Sequence, residues 1–448
     1  MRKIRLFYFI FITLLLLTSC TSSLKNDKAP NNSDGESSYA PKDDYYGGIF
    51  DSESSDSIKP GAPGESPEMP DYDIAEPIVP DGDEDYPVDK PQTQGPAAGQ
   101  ITASAWSDHK NYDFWNNLFK SDQENNPGLF NDYFTKLNIY NTTINTQKMI
   151  TVKITDNNTP AVNLPVSIKN SNYQFNALTN VSGIAYLFLP NDSSFPYTIE
   201  YNDNSYELKE YTTNTIELST TLPATEIAIN YLDLMFVIDT TGSMGDELSY
   251  LKSEIKDVIE RIDTNKNNIR LSLLFYRDEG DQYVTRFFDF TTDINSQLNN
   301  INNQKANGGG DFEEAVDVAL NLATTQASWS EHSNKILIHV LDAPPHSTKQ
   351  NINLFANSIL TTAEKGIRII PVASSGIDKW TEFLLRTEAL ITGGTYTYIT
   401  NHSGIGGDHI DATVGSVVVE YLNDMLVRLI NEYYTGIETK PIPYNQKQ

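Results

Sequence analysis

LDLMFVIDTTGSMGDEL (232–248) is the stretch on which the reading of this chain turns. Leu232 to Ile238 is apolar at odd and even positions alike, broken only by Asp233. It then stops at Asp239, and Thr241 and Ser243 follow around Gly242. A strand that is apolar on both faces fits a parallel sheet covered by helices on both sides. In such sheets ligands bind beyond the carboxyl ends of the strands. Asp239, Thr241 and Ser243 are therefore candidates for holding a ligand.

The same pattern repeats downstream. Strands are expected at Ile269–Asp278, Lys335–Asp342 and Ile367–Ala373, with weaker ones near Val284–Phe290 and Thr395–Ile399. Between the first two strands Leu248, Leu251, Ile255, Val258, Ile259 and Ile262 fall on one helical face. A closing helix is expected from Thr413 to Tyr433, burying Val417, Val418, Tyr421, Leu422, Met425, Leu426 and Leu429. Residues 228–436 thus read as a doubly wound α/β domain. At its strand ends lie Arg277 and Asp278, then Asp342, and the glycine-rich NGGGDFEEAVDVAL brings Asp311 to the mouth of a helix. Carboxylate and hydroxyl oxygens suit hard cations, Mg²⁺ first, with Mn²⁺ or Ca²⁺ as alternatives. Hydroxyls add no charge, so the cation keeps its pull on an oxygen of a partner, most naturally a Glu or Asp carboxylate.

FVIDTTGSM (236–244) resembles the D-x-(S/T)-x-S signature of von Willebrand factor A (vWA) domains, their metal-ion-dependent adhesion site. GGGDFEEAVDVAL (308–320) and ILIHVLDAPPH (336–346) resemble the later motifs of the same family, in the same order. The resemblance implies metal roles for Asp239, Thr241, Ser243 and Asp342, and binding of a protein or glycan partner through the ion. Many members carry a threonine in the second loop, where this chain has Gly310-Asp311. Asp311 is either a direct ligand or a helix N-cap.

Ahead of this domain, residues 150–219 break into short alternating segments such as MITVKITD, NLPVSIKN and GIAYLFL, separated by turn clusters. They read as a small β-sandwich and resemble the carboxypeptidase-regulatory-like, Ig-like spacer domains of bacterial surface proteins. Trp106, Trp115, Leu118 and Phe119 suggest a short helix, Tyr112 to Lys120, packed against it, so that this domain spans 106–222.

The 448-residue chain carries a net charge of −28, which repels phosphate backbones and argues against nucleic acid. Its single cysteine, Cys20, ends MRKIRLFYFIFITLLLLTSC, a basic start followed by an apolar run. The LTSC ending resembles the lipobox of bacterial lipoproteins. It implies removal of residues 1–20 up to the cysteine, a lipid on Cys20, and a place on the bacterial cell membrane or outer membrane. Residues 21–105 are acidic and rich in Ser, Pro and Gly, the composition of a disordered tether. Residues 437–448 form a polar tail.

Enzyme readings find little support. DTTGS lacks the lysine of the phosphorylated D-K-T-G-T motif, and Thr241 stands where a haloacid-dehalogenase-type phosphatase has its second Asp. G-x-S-x-G and a P-loop are also missing. The chain is expected to catalyse nothing. The competing expectation is a metal that only stabilises a scaffold.

Overall fold

A computed structural model describes residues 96–120, 128–140, 142–222, 231–265 and 268–446. Cys20, the signal sequence, most of the acidic tether and the join at residue 228 lie outside them.

The order of elements is β1 (Thr102–Trp106), α1 (Tyr112–Asn117), α2 (Leu129–Ile139), β2 (Met149–Asp156), β3 (Thr159–Pro160), β4 (Pro165–Lys169), β5 (Gln174–Leu178), β6 (Ile184–Phe188), β7 (Tyr197–Tyr201), β8 (Asn204–Leu208) and β9 (Ile216–Thr220). It continues with β10 (Tyr231–Asp239), α3 (Gly245–Asn265), β11 (Ile269–Tyr276), β12 (Thr285–Thr291), α4 (Ile294–Asn302), α5 (Val316–Thr325), β13 (Ser333–Leu341) and α6 (Lys349–Glu364). The last elements are β14 (Ile367–Ala373), α7 (Lys379–Thr392), β15 (Tyr396–Ile399), β16 (Val419–Tyr421) and α8 (Leu422–Thr435).

The large sheet has eight strands in the order β12-β11-β10-β13-β14-β15-β1-β16. β11, β10, β13, β14 and β15 run parallel, while β12, β1 and β16 pair antiparallel to their neighbours. This is the mostly parallel, helix-flanked α/β sheet the apolar runs implied. Alternation along β10 shows why both faces must be covered. Leu232, Leu234, Phe236 and Ile238 pack with α3 and α8, whereas Met235 and Val237 join the opposite cluster with α5, α6 and α7. β10 lies between β11 and β13, and the chain leaves it in one direction and returns on the other side. That reversal opens a crevice beyond its carboxyl end.

Two expectations change. Thr102–Trp106, split in the sequence reading between tether and small domain, is a strand of the large sheet, wedged between β15 and β16. The closing helix starts at Leu422, not Thr413. Val419–Tyr421 pairs instead with Thr102–Ser104, and Val418 is 37% exposed. A run of three valines satisfies strand and helix patterns equally, and the free edge of β1 decides between them.

Strands β2 to β9 form two four-stranded sheets, β3-β2-β6 with β9 on β2, and β5-β4-β7-β8. Their inward residues alternate as a half-buried strand requires: Ile150, Val152 and Ile154 on β2 face Val166 and Ile168 on β4 across a common core. This unit packs against the large domain through Asn163, whose Nδ2 donates to Ser333 O at 3.2 Å, and Arg368, which donates to Leu178 O at 3.0 Å. Ser333 and Arg368 lie at the amino ends of β13 and β14, the edge opposite Asp239. α1 and α2 cover α7. Trp115 is fully buried and stacks on Phe383 at 6.1 Å, and Arg386 holds Asp108 with two hydrogen bonds of 2.6 and 3.0 Å.

Candidate metal centre at the strand ends

Asp239 closes β10 and is completely buried. Its Oδ1 accepts hydrogen bonds from Thr241 N (2.8 Å) and Thr241 Oγ1 (2.6 Å). Thr241 Oγ1 is 3.2 Å from Ser243 Oγ, so the three residues form one chain of oxygens through the turn. Gly242 permits the turn: its N–H donates to Gly308 O at 3.0 Å, and a Cβ there would sit 2.9 Å from that same oxygen. Asp342 follows β13, next to β10 in the sheet, and is 4% exposed. The sequence candidates Asp239, Thr241, Ser243 and Asp342 therefore come together on one edge.

Asp311 reaches the same edge but in a different setting. It is exposed and lines the mouth of a cleft of about 390 Å³, with Ser243, Asp246, Phe312, Glu314 and Asp342. It caps no helix, because α5 begins at Val316 behind Ala315. The buried carboxylate of this loop is Glu314, which is 2% exposed and which the sequence reading passed over. Glu314 N donates to Pro344 O at 3.0 Å, tying its loop to the segment after Asp342. Gly309, at φ +74°, lets the backbone pass so close that a Cβ would meet Glu314 Oε1 at 2.9 Å and Thr241 Cβ at 3.3 Å.

Further loops brace the edge. Arg277 turns inward, donating to Thr240 O at 3.2 Å and Lys305 O at 2.8 Å. Asp278 accepts from His346 Nε2 at 2.7 Å. His409, one of a scattered set considered for zinc, is engaged by Glu247 at 3.1 Å and Asn401 at 2.8 Å.

The electrostatics are unusual. Asp239 Oδ2, Glu314 Oε2 and Asp342 Oδ1 are buried with no hydrogen-bond partner among the described residues. Burial, then the charge of Asp342, pushes Asp239 up to about 8. Burial, then Asp239, pushes Glu314 up to about 9, and burial raises Asp342 to about 6. Acids so crowded resist ionisation until a positive charge joins them. Among the described residues no three His, Cys, Asp or Glu side chains form a ready cage, so the hydroxyls of Thr241 and Ser243 are needed to complete a donor set. An all-oxygen set with unpaired buried carboxylates fits a hard divalent cation.

Comparison with known proteins agrees with this placement. Residues 233–401 match the family model of the von Willebrand factor type A domain, so the chain carries a vWA domain. Domains of this family commonly bind proteins through a divalent cation at this edge. A putative ariadne-like RING finger protein of Acanthamoeba polyphaga mimivirus is 25% identical over 46% of this chain and 21% of its own length. The alpha-protein kinase vwkA of Dictyostelium discoideum is 28% identical over 26% of this chain and 19% of its own. The collagen alpha-6(VI) chain of Mus musculus is 24% identical over 49% of this chain and 10% of its own. This chain thus spans a fifth or less of those relatives. The crystal structure of the SpRpn10 VWA domain aligns with a TM-score of 0.28 and 10% identity, over 35% of this chain and 82% of that one.

The relatives correct one expectation. The sequence reading held that the chain catalyses nothing, but related segments occur in proteins named as a RING finger protein and an alpha-protein kinase. Carrying this domain does not set a chain apart from enzymes.

Proposed function

We propose that the chain binds a protein or glycan partner through a divalent cation, Mg²⁺ first, held by Asp239, Thr241, Ser243 and Asp342 with Glu314 as a further ligand. The single observation that carries this reading is the meeting of three bare, buried carboxylate oxygens with two hydroxyls at one strand edge. The small domain packs against the opposite edge, so this cleft stays open to a partner, which favours partner binding over a purely stabilising ion. The similarity to a collagen chain supports a role in protein interaction. In this proposal the domain stands outside the cytoplasm on a lipid attached at Cys20.

Titration calorimetry on the full chain tests the site. Wild type takes up Mg²⁺, and Asp239→Ala takes up none while keeping its circular dichroism spectrum. Equal heats from both proteins would remove the site. Partner capture from an extracellular extract, with and without chelator, then tests the role of the ion. Cys20→Ser should lose labelling by a lipid probe, and unchanged labelling would remove the anchor.

A further inference from the structure

Resting on the metal-dependent binding just proposed, the charge around the cleft says more about the partner. Asp239, Asp246, Asp311, Glu314, Asp342 and Asp408 place six carboxylates in or against it, and no lysine or arginine is among the described residues that line it. A single divalent cation offsets two of those charges. Asp239, Glu314 and Asp342, as ligands, already exceed what the ion carries, so the bound ion keeps no surplus pull on a negative group. Asp246, Asp311 and Asp408 remain exposed around it. The whole chain, at −28, adds a field of the same sign. A carboxylate brought to this ion would therefore approach like charge, which specific interfaces avoid. This departs from the acidic partner that the D-x-(S/T)-x-S motif alone suggests, and Glu314 is the cause.

The unsatisfied atoms show that the cluster is a receiving site and not simply a solvated acidic face. Glu314 Oε2 and Asp342 Oδ1 belong to side chains at least nine-tenths buried, both lining the cleft and both without partners. Phe312, 46% exposed, adds an apolar patch on the rim. We infer that the partner is a basic protein segment, one that gives the ion an uncharged oxygen and sets a lysine or arginine against the rim carboxylates Asp246, Asp311 and Asp408.

The test uses the full chain and three immobilised peptide pools of equal length, built from Gly, Ser, Asn and Tyr around a central Lys, Gln or Glu. In Mg²⁺ the Lys pool should retain roughly tenfold more protein than the Glu pool, and chelator should release it. Asp246→Asn combined with Asp408→Asn should bring the two pools to near parity while Mg²⁺ uptake by calorimetry stays as in wild type. Preference for the Glu pool, or no retention on the Lys pool in Mg²⁺, overturns the inference. So does Lys-pool retention that survives both chelator and the double substitution, since that is only general attraction to an acidic chain. Chelator-sensitive retention on Glu peptides overturns the basic partner alone and leaves the metal-dependent reading standing. Absence of Mg²⁺ uptake by wild type overturns both.

Discussion

Two aspartates share β10, six residues apart, and both are fully buried. Asp233, at the amino end, accepts hydrogen bonds from Arg270 through both oxygens, at 2.8 and 2.6 Å, and also from Ser330 N and Ser333 Oγ. Asp239, at the carboxyl end, has one oxygen bonded only to Thr241 and the other bonded to nothing described. Burying a carboxylate is costly unless it is paired and hydrogen-bonded. The fold meets that requirement at one end of the strand and leaves it open at the other. Burial alone therefore separates nothing here. What marks the functional end is the missing partner, repeated in Glu314 and Asp342.

The largest effect should come from breaking the satisfied end. Arg270→Met leaves Asp233 without its counter-charge and should cost about 3 kcal/mol of stability in urea unfolding. Asp239→Asn should act in the opposite direction, raising the stability of the metal-free protein at pH 8 while abolishing Mg²⁺ uptake. If both substitutions destabilise alike, the contrast between the two ends is wrong.

A pH series sharpens the same contrast. Asp239, Glu314 and Asp342 titrate near 8, 9 and 6 in the folded chain, above the values near 4 of unfolded carboxyls. Between those limits the folded state holds more protons than the unfolded one, so stability falls as pH rises from about 4 to about 9. Metal-free protein should have a lower Tm at pH 8 than at pH 5 by scanning calorimetry. Mg²⁺ should raise Tm more at pH 8 than at pH 5.

Smaller effects sort the loop that carries two acidic candidates. Glu314→Gln should weaken Mg²⁺ affinity about tenfold, since ligand charge tunes such sites, and Asp311→Asn should weaken it less. A larger loss from Asp311 would return that residue to the ligand set. Gly309→Ala, forced into positive φ against Glu314 and Thr241, should cost about 1 kcal/mol in thermal unfolding.

The sheet and four of its site residues were readable in the sequence because the signal is local. Apolar runs end sharply at Asp239 and after Leu341, and the turn chemistry follows at once. Glu314 was not readable. It stands in Asp311-Phe-Glu-Glu, where four residues offer three carboxylates and only three-dimensional packing shows which one is buried. β1 was hidden for a different reason. TASAW is short and rich in small residues, and its partners Tyr396–Ile399 and Val419–Tyr421 lie about 290 residues or more along the chain. The early start given to α8 has the same origin, because the strand that claims Val419 comes from that distant segment.

The position of β1 also governs how tension would travel. Backbone N–H groups of Gly99, Gln100 and Ile101 are gripped by the buried Glu254 carboxylate at 2.8 to 3.1 Å, just before the chain enters the large sheet. A pull on the amino-terminal segment is thus delivered straight into the sheet that bears Asp239, in shear along two flanking strands. The eight short strands that follow hang beside that line of force. They can be stretched only after the large domain has begun to give way.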